Sequence, residues 1–120
     1  MASYTLGLDY GTNSVRAIIV DTKDGKICGS QVYAYAHGDM GVIGDVKDPN
    51  VARQHPADYL EGLKLTVRGA ILEAGVEPAK VVGIGVDATA STPLPVDAQG
   101  QALALTDAFV ENPDAMAWLW

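Results

Sequence analysis

The first third of the chain alternates short apolar runs with turn residues, a pattern typical of β-strands. Tyr4 to Asp9 is a short apolar run bounded by Gly11, and Ser14 to Asp21 is a second apolar run. Asp24-Gly25 is a strong hairpin signal, and Lys26 to Ala36 follows it. The pattern therefore predicts three consecutive antiparallel strands joined by tight turns.

Residues 37 to 54 fit neither a helical nor a strand period. Glycines, a proline and several aspartates interrupt the apolar positions throughout this stretch. We therefore expect a long loop, and a loop of this length in a compact domain is usually functional or disordered.

The next segment has the start, stripe and stop of an amphipathic helix. His55-Pro56 is typical of an N-cap and a first-turn proline. Gly75 stands where a left-handed C-terminal residue belongs, and Pro78 lies just beyond it. The apolar residues at helical spacing are Leu60, Leu63, Val67, Ala70, Ile71 and Ala74. A helix with that stripe in the core is the prediction.

The remaining elements follow from three shorter patterns. Val81 to Asp87 is continuously apolar, which favours a strand covered on both faces, as in a parallel sheet. Pro93 to Asp97 and Gln101 to Leu105 predict a short hairpin, and Asn112-Pro113 predicts the start of a last helix that runs to Trp120. The fold class is therefore α/β: three antiparallel strands, a right-handed crossover helix and a buried parallel strand.

Composition and charge exclude some classes of protein. A net charge of −7 without a basic cluster argues against a nucleic-acid or anionic-membrane binder. Cys28 is the only cysteine, which excludes an intrachain disulfide and a cysteine zinc site. We expect a cytoplasmic protein, since no secretory signal or apolar span is found. The oligomeric state stays open, with a homo-oligomer possible. The apolar end at residues 115–120 fits either a docked helix or a cut through a longer protein.

The turn Asp9-Tyr10-Gly11-Thr12-Asn13-Ser14 is the first candidate site. An acidic residue ends a strand and offers a hard oxygen ligand to magnesium, directly or through water. Gly11 allows backbone amides to approach a phosphate, the polar residues after it add donors, and Arg16 adds positive potential. An ordinary hairpin turn has the same composition and is the commoner explanation of the residues alone. The turn is not a P-loop, because the glycine-lysine pattern is missing.

Asp87 to Pro93 is the second candidate site, at the end of the predicted parallel strand. Ligands gather beyond the carboxyl ends of such strands. Small residues leave room there, and Thr89, Ser91 and Thr92 suit a polyol, with Asp87 as an acceptor for a hydroxyl. A simple turn with a proline explains the segment equally well.

Three other features carry little functional signal. His37 and His55 have no cysteine or other histidine in a metal-ligand spacing, so structural or solvated roles are expected for both. Gly83-Ile84-Gly85 lies inside a strand instead of following one, which excludes a dinucleotide-binding motif.

Taken together, the segments resemble the FGGY family of carbohydrate kinases, which belong to the actin-like ATPases. Residues 6–16 resemble the first phosphate motif of that family, and residues 82–97 resemble the second stretch of its first domain. Asp-x-Thr-x-Ser-Thr from Asp87, Glu111 to Met116 and the terminal Trp118-Leu119-Trp120 resemble the L-ribulokinase branch. The resemblance covers nearly the whole chain and outweighs the simple-turn explanations.

The resemblance implies that residues 1–120 are a partial ribonuclease H-like, actin-like ATPase domain, the N-terminal part of the first domain of a longer kinase. It also implies ATP and Mg²⁺ as cofactors and a ketopentose, L-ribulose, as substrate. Asp9 would hold the metal; Gly11, Thr12 and Asn13 would line the phosphates, with Ser14 and Arg16 nearby. Thr89, Ala90 and Ser91 would line the sugar pocket, and Asp87 would support it. The catalytic aspartate and the other nucleotide motifs would lie downstream, so the chain alone is expected to be inactive.

Two alternatives stay open. A non-kinase actin-like ATPase would share the phosphate hairpin, but it would have no reason for a polyol segment after Asp87. A non-catalytic binding module would be complete at 120 residues.

Overall fold

A computed structural model describes residues 1–119 of the chain. These residues form seven strands, one α-helix and three short 3-10 turns. The strands and the helix are β1 Tyr4–Tyr10, β2 Ser14–Asp21, β3 Ile27–Ala34, β4 Ile43–Asp45, β5 Asp48–Gln54, α1 Pro56–Ala74, β6 Val81–Ala88 and β7 Ala117–Trp118. None of the helices in this part of the chain combines the length and the apolar character that a membrane span needs.

The main sheet has the strand order β3-β2-β1-β6. β1, β2 and β3 pair antiparallel, and β6 pairs parallel with β1. The three predicted antiparallel strands, the helix after them and the parallel strand are therefore confirmed. A second sheet, β4-β5-β7, is small.

Helix α1 packs on one face of the main sheet. Its ends are those predicted: the His55 side chain accepts a hydrogen bond from the Ala57 N–H, and Gly75 ends the helix at φ 65°. The face it buries is different from the prediction, because Gly62, Thr66 and Ala70 are buried while Leu60 is 57% exposed. The predicted stripe is thus wrong at Leu60 and Leu63, which lie beside the contact instead of in it.

Small residues explain this orientation of α1. A Cβ at Gly29 of β3 would overlap the Ala70 carbonyl oxygen, and a Cβ at Gly62 would overlap the Val15 side chain. The helix and the sheet therefore approach backbone to backbone. The larger apolar residues line the margin of the contact, and the core itself consists of Leu6, Leu8, Val15, Ala17, Ile19, Tyr35 and Ala70.

Residues 37 to 54 are not one long loop, as predicted from their composition. They contain β4 and β5, which form a hairpin in which Asp45 pairs with Asp48. The Asp45 carboxylate accepts a hydrogen bond from the Lys47 N–H, and the Asp48 carboxylate accepts one from the Asn50 N–H. The aspartates that obscured the strand period are therefore the residues that stabilise the turn.

The C-terminal predictions also need correction. The predicted hairpin between Pro93 and Leu105 is reduced to one bridge, Val96 with Ala102, followed by a 3-10 turn at Leu103–Leu105. Asn112 caps only a single 3-10 turn, Pro113–Ala115, after which β7 pairs with β5. The last residue of the predicted final helix, Trp120, lies outside the described residues. The Arg53 guanidinium explains the extended course, since it lies 3.8 Å from the Trp118 ring centroid and 3.0 Å from the Asp114 carboxylate.

Strand β6 is present and parallel, but its predicted burial on both faces is wrong for residues 1–119. Val82, Ile84 and Val86 are each about two-thirds exposed, at 67%, 66% and 65%. In register they lie on the face that α1 covers at β2 and β3, beyond the reach of the helix. Their apolar character is real, but no element of the described chain packs on them.

Candidate functional site

The turn between β1 and β2 is fixed by backbone and side-chain hydrogen bonds. The Gly11 N–H donates to the Ser14 carbonyl at 2.8 Å, which closes the turn. On the other side, the Tyr35 N–H donates to the Asn13 carbonyl at 3.0 Å, and the Asn13 side-chain NH₂ donates to the Met40 carbonyl at 2.6 Å. The segment after β3 therefore holds the turn from behind.

Gln54 holds the same turn from the end of β5. Its carboxamide donates to the carbonyl oxygens of Gly11, at 3.2 Å, and Thr12, at 2.8 Å. Its own oxygen accepts a hydrogen bond from the Tyr59 hydroxyl of α1. The Tyr35 hydroxyl adds a second donor to the Gly11 carbonyl at 3.1 Å. The carbonyl side of the turn is thus saturated by groups of the protein.

This arrangement directs the N–H groups of the turn. A peptide unit is planar and trans, so its carbonyl and its N–H point in opposite directions. Because the Gly11 and Thr12 carbonyls point toward Gln54, the N–H groups of Thr12 and Asn13 point away from it. Successive backbone N–H groups of a turn can form a concavity that suits an anion such as a phosphate.

Asp9, Arg16 and Asp87 share the sheet face opposite α1. Asp9 pairs with Arg16 across β1 and β2, and it pairs with Asp87 across β1 and β6. All three line a cavity of about 490 Å³. Its floor contains Gly7 and Gly85, which lie side by side in the two strands. The absence of side chains at these glycines leaves the sheet surface open to a flat or extended ligand.

A second cavity lies on the α1 side of the same sheet end. Its volume is about 210 Å³, and its lining residues are Tyr10, Gln54, Tyr59, Ala88, Thr89 and Thr92. The Tyr10 hydroxyl donates to the Tyr59 carbonyl, and the hydroxyls of Thr89 and Thr92 lie 3.0 Å apart. Hydroxyl, amide and aromatic groups on one concave surface suit a small polar ligand.

The segment after β6 connects the two cavities. The Thr89 N–H donates to the Tyr10 carbonyl, which continues the parallel pairing one residue past β6. Asp87 accepts a hydrogen bond from the Ala88 N–H, and its position on the opposite face places it with Asp9. Ser91 has φ 58°, a left-handed conformation that is strained for a serine. Ala90 and Ser91 are exposed and line neither cavity.

Burial raises the pKa values of the tyrosines at the site. Desolvation, with smaller contributions from Asp58 and Tyr10, raises the pKa of Tyr59 to about 12. Burial also raises the pKa values of Tyr10 and Tyr35 above their ordinary value. The Gly11 and Thr12 carbonyls can only accept, so the Gln54 NH₂ faces the turn after β1 and its oxygen accepts from the Tyr59 hydroxyl.

Comparison with known proteins agrees with this architecture. Residues 4–111 match the N-terminal domain of the FGGY family of carbohydrate kinases. The chain belongs to that family. It is 42% identical to the ribulokinase of Geobacillus thermodenitrificans and 42% identical to that of Halalkalibacterium halodurans, in both cases over 98% of the chain. These matches cover only 21% and 22% of the two relatives, so the chain spans about a fifth of their length.

A solved structure shares the fold. The crystal structure of xylulose kinase from Rhodospirillum rubrum superposes with a TM-score of 0.64 at 20% identity, over 81% of this chain and 18% of that one. The predicted fold class, a partial actin-like α/β domain, is therefore confirmed.

The residues expected from the FGGY motifs fall into two groups. Asp9, Gly11, Thr12, Asn13, Ser14 and Arg16 surround one turn, and Asp87 lies beside them. Thr89 lines the cavity on the α1 side, apart from Ala90 and Ser91. Sequence reasoning missed Gln54, Tyr35 and Tyr59, which hold the turn from elements distant in the chain. Gln54 immediately precedes the predicted helix start, but nothing in its local pattern indicates its partners.

His37 and His55 lie together in a cluster with Asp58, a contact that their sequence context does not indicate. The buried Asp58 carboxylate accepts hydrogen bonds from the His37 N–H, at 3.1 Å, and from the His37 ring, at 2.7 Å. The His37 and His55 rings stack with their centroids 4.2 Å apart. The cluster fastens the residues after β3 to the start of α1.

Proposed function

We propose that residues 1–120 form the N-terminal part of the first domain of a kinase that transfers the γ-phosphoryl group of ATP to a ketopentose, L-ribulose. The observation that carries the proposal is the meeting of two segments at one end of the sheet. The phosphate-motif turn after β1 and the polar segment after β6 are joined by the Thr89–Tyr10 hydrogen bond. The identity of 42% to ribulokinases across both segments supports the choice of sugar.

The turn is assigned to ATP. The N–H groups of Thr12 and Asn13, directed away from Gln54, would bind phosphate oxygens, and Gly11 would permit their close approach. Ser14 adds a hydroxyl at the start of β2. Arg16 shares the Asp9 cavity and would offset negative charge there.

Asp9 fits the role of the metal-binding residue. Mg²⁺ in phosphoryl-transfer sites keeps several waters and uses one or two carboxylates together with the phosphates. Asp9 is exposed on the cavity surface, with Asp87 beside it. The metal would supply charge neutralisation of the phosphates.

The segment from Asp87 to Ser91 is assigned to the sugar. Thr89 would donate to and accept from sugar hydroxyls in the cavity on the α1 side. Ala90 and Ser91 are exposed next to Thr89 and would contact the sugar from outside that cavity. Asp87 would support the segment through its bond to the Ala88 N–H. In the reaction, a terminal sugar hydroxyl oxygen bonds to the γ-phosphorus, the bond to the β-phosphate oxygen breaks, ADP leaves, and an aspartate beyond residue 120 takes the hydroxyl proton.

The test is a coupled kinase assay on a full-length enzyme that carries this sequence as its first segment. We expect L-ribulose to be phosphorylated, other ketopentoses to be accepted, and xylulose and glycerol to be poorer substrates. Ala90→Leu should raise KM for ribulose and leave KM for ATP nearly unchanged. Equal changes in both constants would assign Ala90 to packing, and a preference for glycerol would reject the ribulokinase assignment.

The 120-residue chain alone should be inactive. The catalytic base and the adenosine site of the proposed enzyme are assigned to downstream residues. The chain therefore contains only some of the residues that the reaction needs. Formation of ribulose phosphate by the purified chain above a blank would contradict this assignment.

A further inference from the structure

Gln54 is the most completely enclosed polar side chain next to the candidate site. It is 1% exposed and makes three hydrogen bonds, two as a donor to the Gly11 and Thr12 carbonyls and one as an acceptor from Tyr59. A buried carboxamide is stable only when such partners are present. The side chain is therefore oriented on both ends, without freedom to exchange its oxygen and nitrogen.

We propose that Gln54 is a positioning residue for nucleotide phosphates, which acts by holding the two peptide units that present the Thr12 and Asn13 N–H groups. The inference rests on the proposed function, in that the turn is taken to bind ATP. Gln54 does not need to touch the nucleotide: its bonds lie on the carbonyl side of the turn, opposite the N–H groups.

Tyr59 and the two turn carbonyls together determine which way the Gln54 carboxamide faces. The Gly11 and Thr12 carbonyls can only accept hydrogen bonds, so the Gln54 NH₂ faces the turn. The Gln54 oxygen then faces the Tyr59 hydroxyl, which donates to it. The Tyr59 ring itself packs edge to face against two other rings. Its centroid lies 5.6 Å from that of Tyr10 and 5.8 Å from that of Tyr35. Helix α1 thus sets the peptide orientation of a turn more than forty residues earlier.

The same chain of contacts borders the cavity assigned to the sugar. Gln54, Tyr59 and Tyr10 line the cavity that contains Thr89 and Thr92. A role of Gln54 in binding the sugar directly is therefore the rival explanation. The two roles predict different kinetics, because a phosphate-positioning residue affects the Michaelis constant for ATP and a sugar ligand affects the constant for the sugar.

The test uses the full-length kinase with Gln54→Glu. Glutamate has the same shape and keeps an acceptor for Tyr59, but it places an oxygen against the Gly11 and Thr12 carbonyls. We expect KM for ATP to rise about 10-fold to 100-fold, as when the outer partners of other binding groups are removed. KM for ribulose should change less than about threefold, which is within the net free-energy contribution of one hydrogen bond.

Two further variants separate positioning from stability. Tyr59→Phe removes only the orienting hydroxyl and should raise KM for ATP by up to about 10-fold, the scale of one hydrogen bond; it carries the test if Gln54→Glu does not fold. Thr66→Val is the matched control, because Thr66 is also 1% exposed and its hydroxyl bonds only to the Gly62 carbonyl within α1. It should lower thermal stability and change neither KM.

The outcomes are distinguishable from failure of the proposed function. If the enzyme phosphorylates another sugar, the ribulose assignment fails, and KM for ATP measured with that sugar still decides the role of Gln54. A rise confined to the sugar KM, or Gln54→Glu and Tyr59→Phe variants that behave like Thr66→Val, would overturn the inference alone. Failure of the unmodified enzyme to bind Mg-ATP in calorimetry would overturn both.

Discussion

At the scale of single residues, Asp9 shows how register creates a chemical site. It is flanked by Arg16 on one strand and by Asp87 on the other. One cation beside two carboxylates leaves a negative surface that can hold a divalent cation, while the Thr12 and Asn13 N–H groups provide positive potential nearby. Charge of both signs within one short stretch is what a metal-bound phosphate requires.

Asp9→Ala in a full-length kinase should therefore lower turnover about 100-fold or more, the scale for losing one preorganised charge-stabilising group. The measurement is kcat at saturating ribulose, ATP and magnesium. Asp24→Ala is the control, since Asp24 lies in the exposed turn between β2 and β3 and bonds only to the Lys26 N–H. Near-normal turnover of the Asp9 variant would mean that Asp9 is only a strand-end residue.

His55 links the stability of the chain to pH. Burial, and then the neighbouring His37, lower the pKa of His55 from 6.5, against a smaller opposing effect of Asp58. The unfolded chain therefore takes up a proton at this histidine before the folded chain does. The stability that the neutral His55 side chain contributes is fully present above pH 6.5 and is lost as the pH falls below it. Protonation would also break the bond that the His55 ring accepts from the Ala57 N–H.

His55→Asn isolates this effect. Asparagine is a good N-cap that does not titrate, so stability at neutral pH should stay within about 1 kcal/mol of the unsubstituted chain. Below pH 6.5 the free energy of unfolding should fall less steeply for the variant. Urea unfolding of both chains between neutral and mildly acidic pH provides the comparison, and parallel pH profiles would contradict the assignment.

At the scale of elements, the sequence predicts those elements whose form depends on residues close to them in the chain. β1, β2 and the ends of α1 follow from short apolar runs, turn residues and caps, and all are found. β5 could not be predicted, because DPNVARQ lacks alternation and pairs with the distant β7. β7 was mistaken for helix because Arg53, which holds Trp118 extended, lies outside its local window.

The candidate site divides in the same way. The turn residues 9–14 and the segment 87–93 are singled out as candidates by their composition and assigned by the family resemblance. The residues that orient the turn could not, because Tyr35, Gln54 and Tyr59 reach it only after the chain has formed β3, β5 and α1. Their hydrogen bonds depend on three-dimensional proximity, for which neither spacing nor periodicity is a guide.

The contact between α1 and the sheet gives an element-scale prediction. Gly29→Ala should lower the free energy of unfolding by about 1–3 kcal/mol, the usual cost of overpacking, because the added methyl would overlap the Ala70 carbonyl. Gly85→Ala is the matched control: it too is a strand glycine, and a Cβ there would meet nothing within 4 Å. Chemical denaturation measures the free energy of unfolding of both variants. Equal losses in the two would mean that α1 can shift away from β3.

At the scale of the whole molecule, the helix covers one part of the main sheet and leaves another part exposed. Within residues 1–119, α1 covers β2 and β3, whereas β6 is the last strand of the sheet and exposes Val82, Ile84 and Val86. An edge strand with an exposed apolar row favours association with another chain. The net charge of −7 opposes association through general repulsion, but within Val81–Ala88 only Asp87 is charged.

We therefore expect the 120-residue chain in isolation to self-associate through β6. The expected observation is a concentration-dependent rise in mass in analytical ultracentrifugation, which higher salt strengthens by screening the net charge. Ile84→Lys should reduce association, because it places a charge in the centre of the row on the edge strand. Leu72→Lys is the control, since Leu72 is 83% exposed on α1, away from β6. Equal effects of the two substitutions would indicate general charge repulsion instead of a β6 interface, and a monomer at all concentrations would show that the exposed row does not drive association.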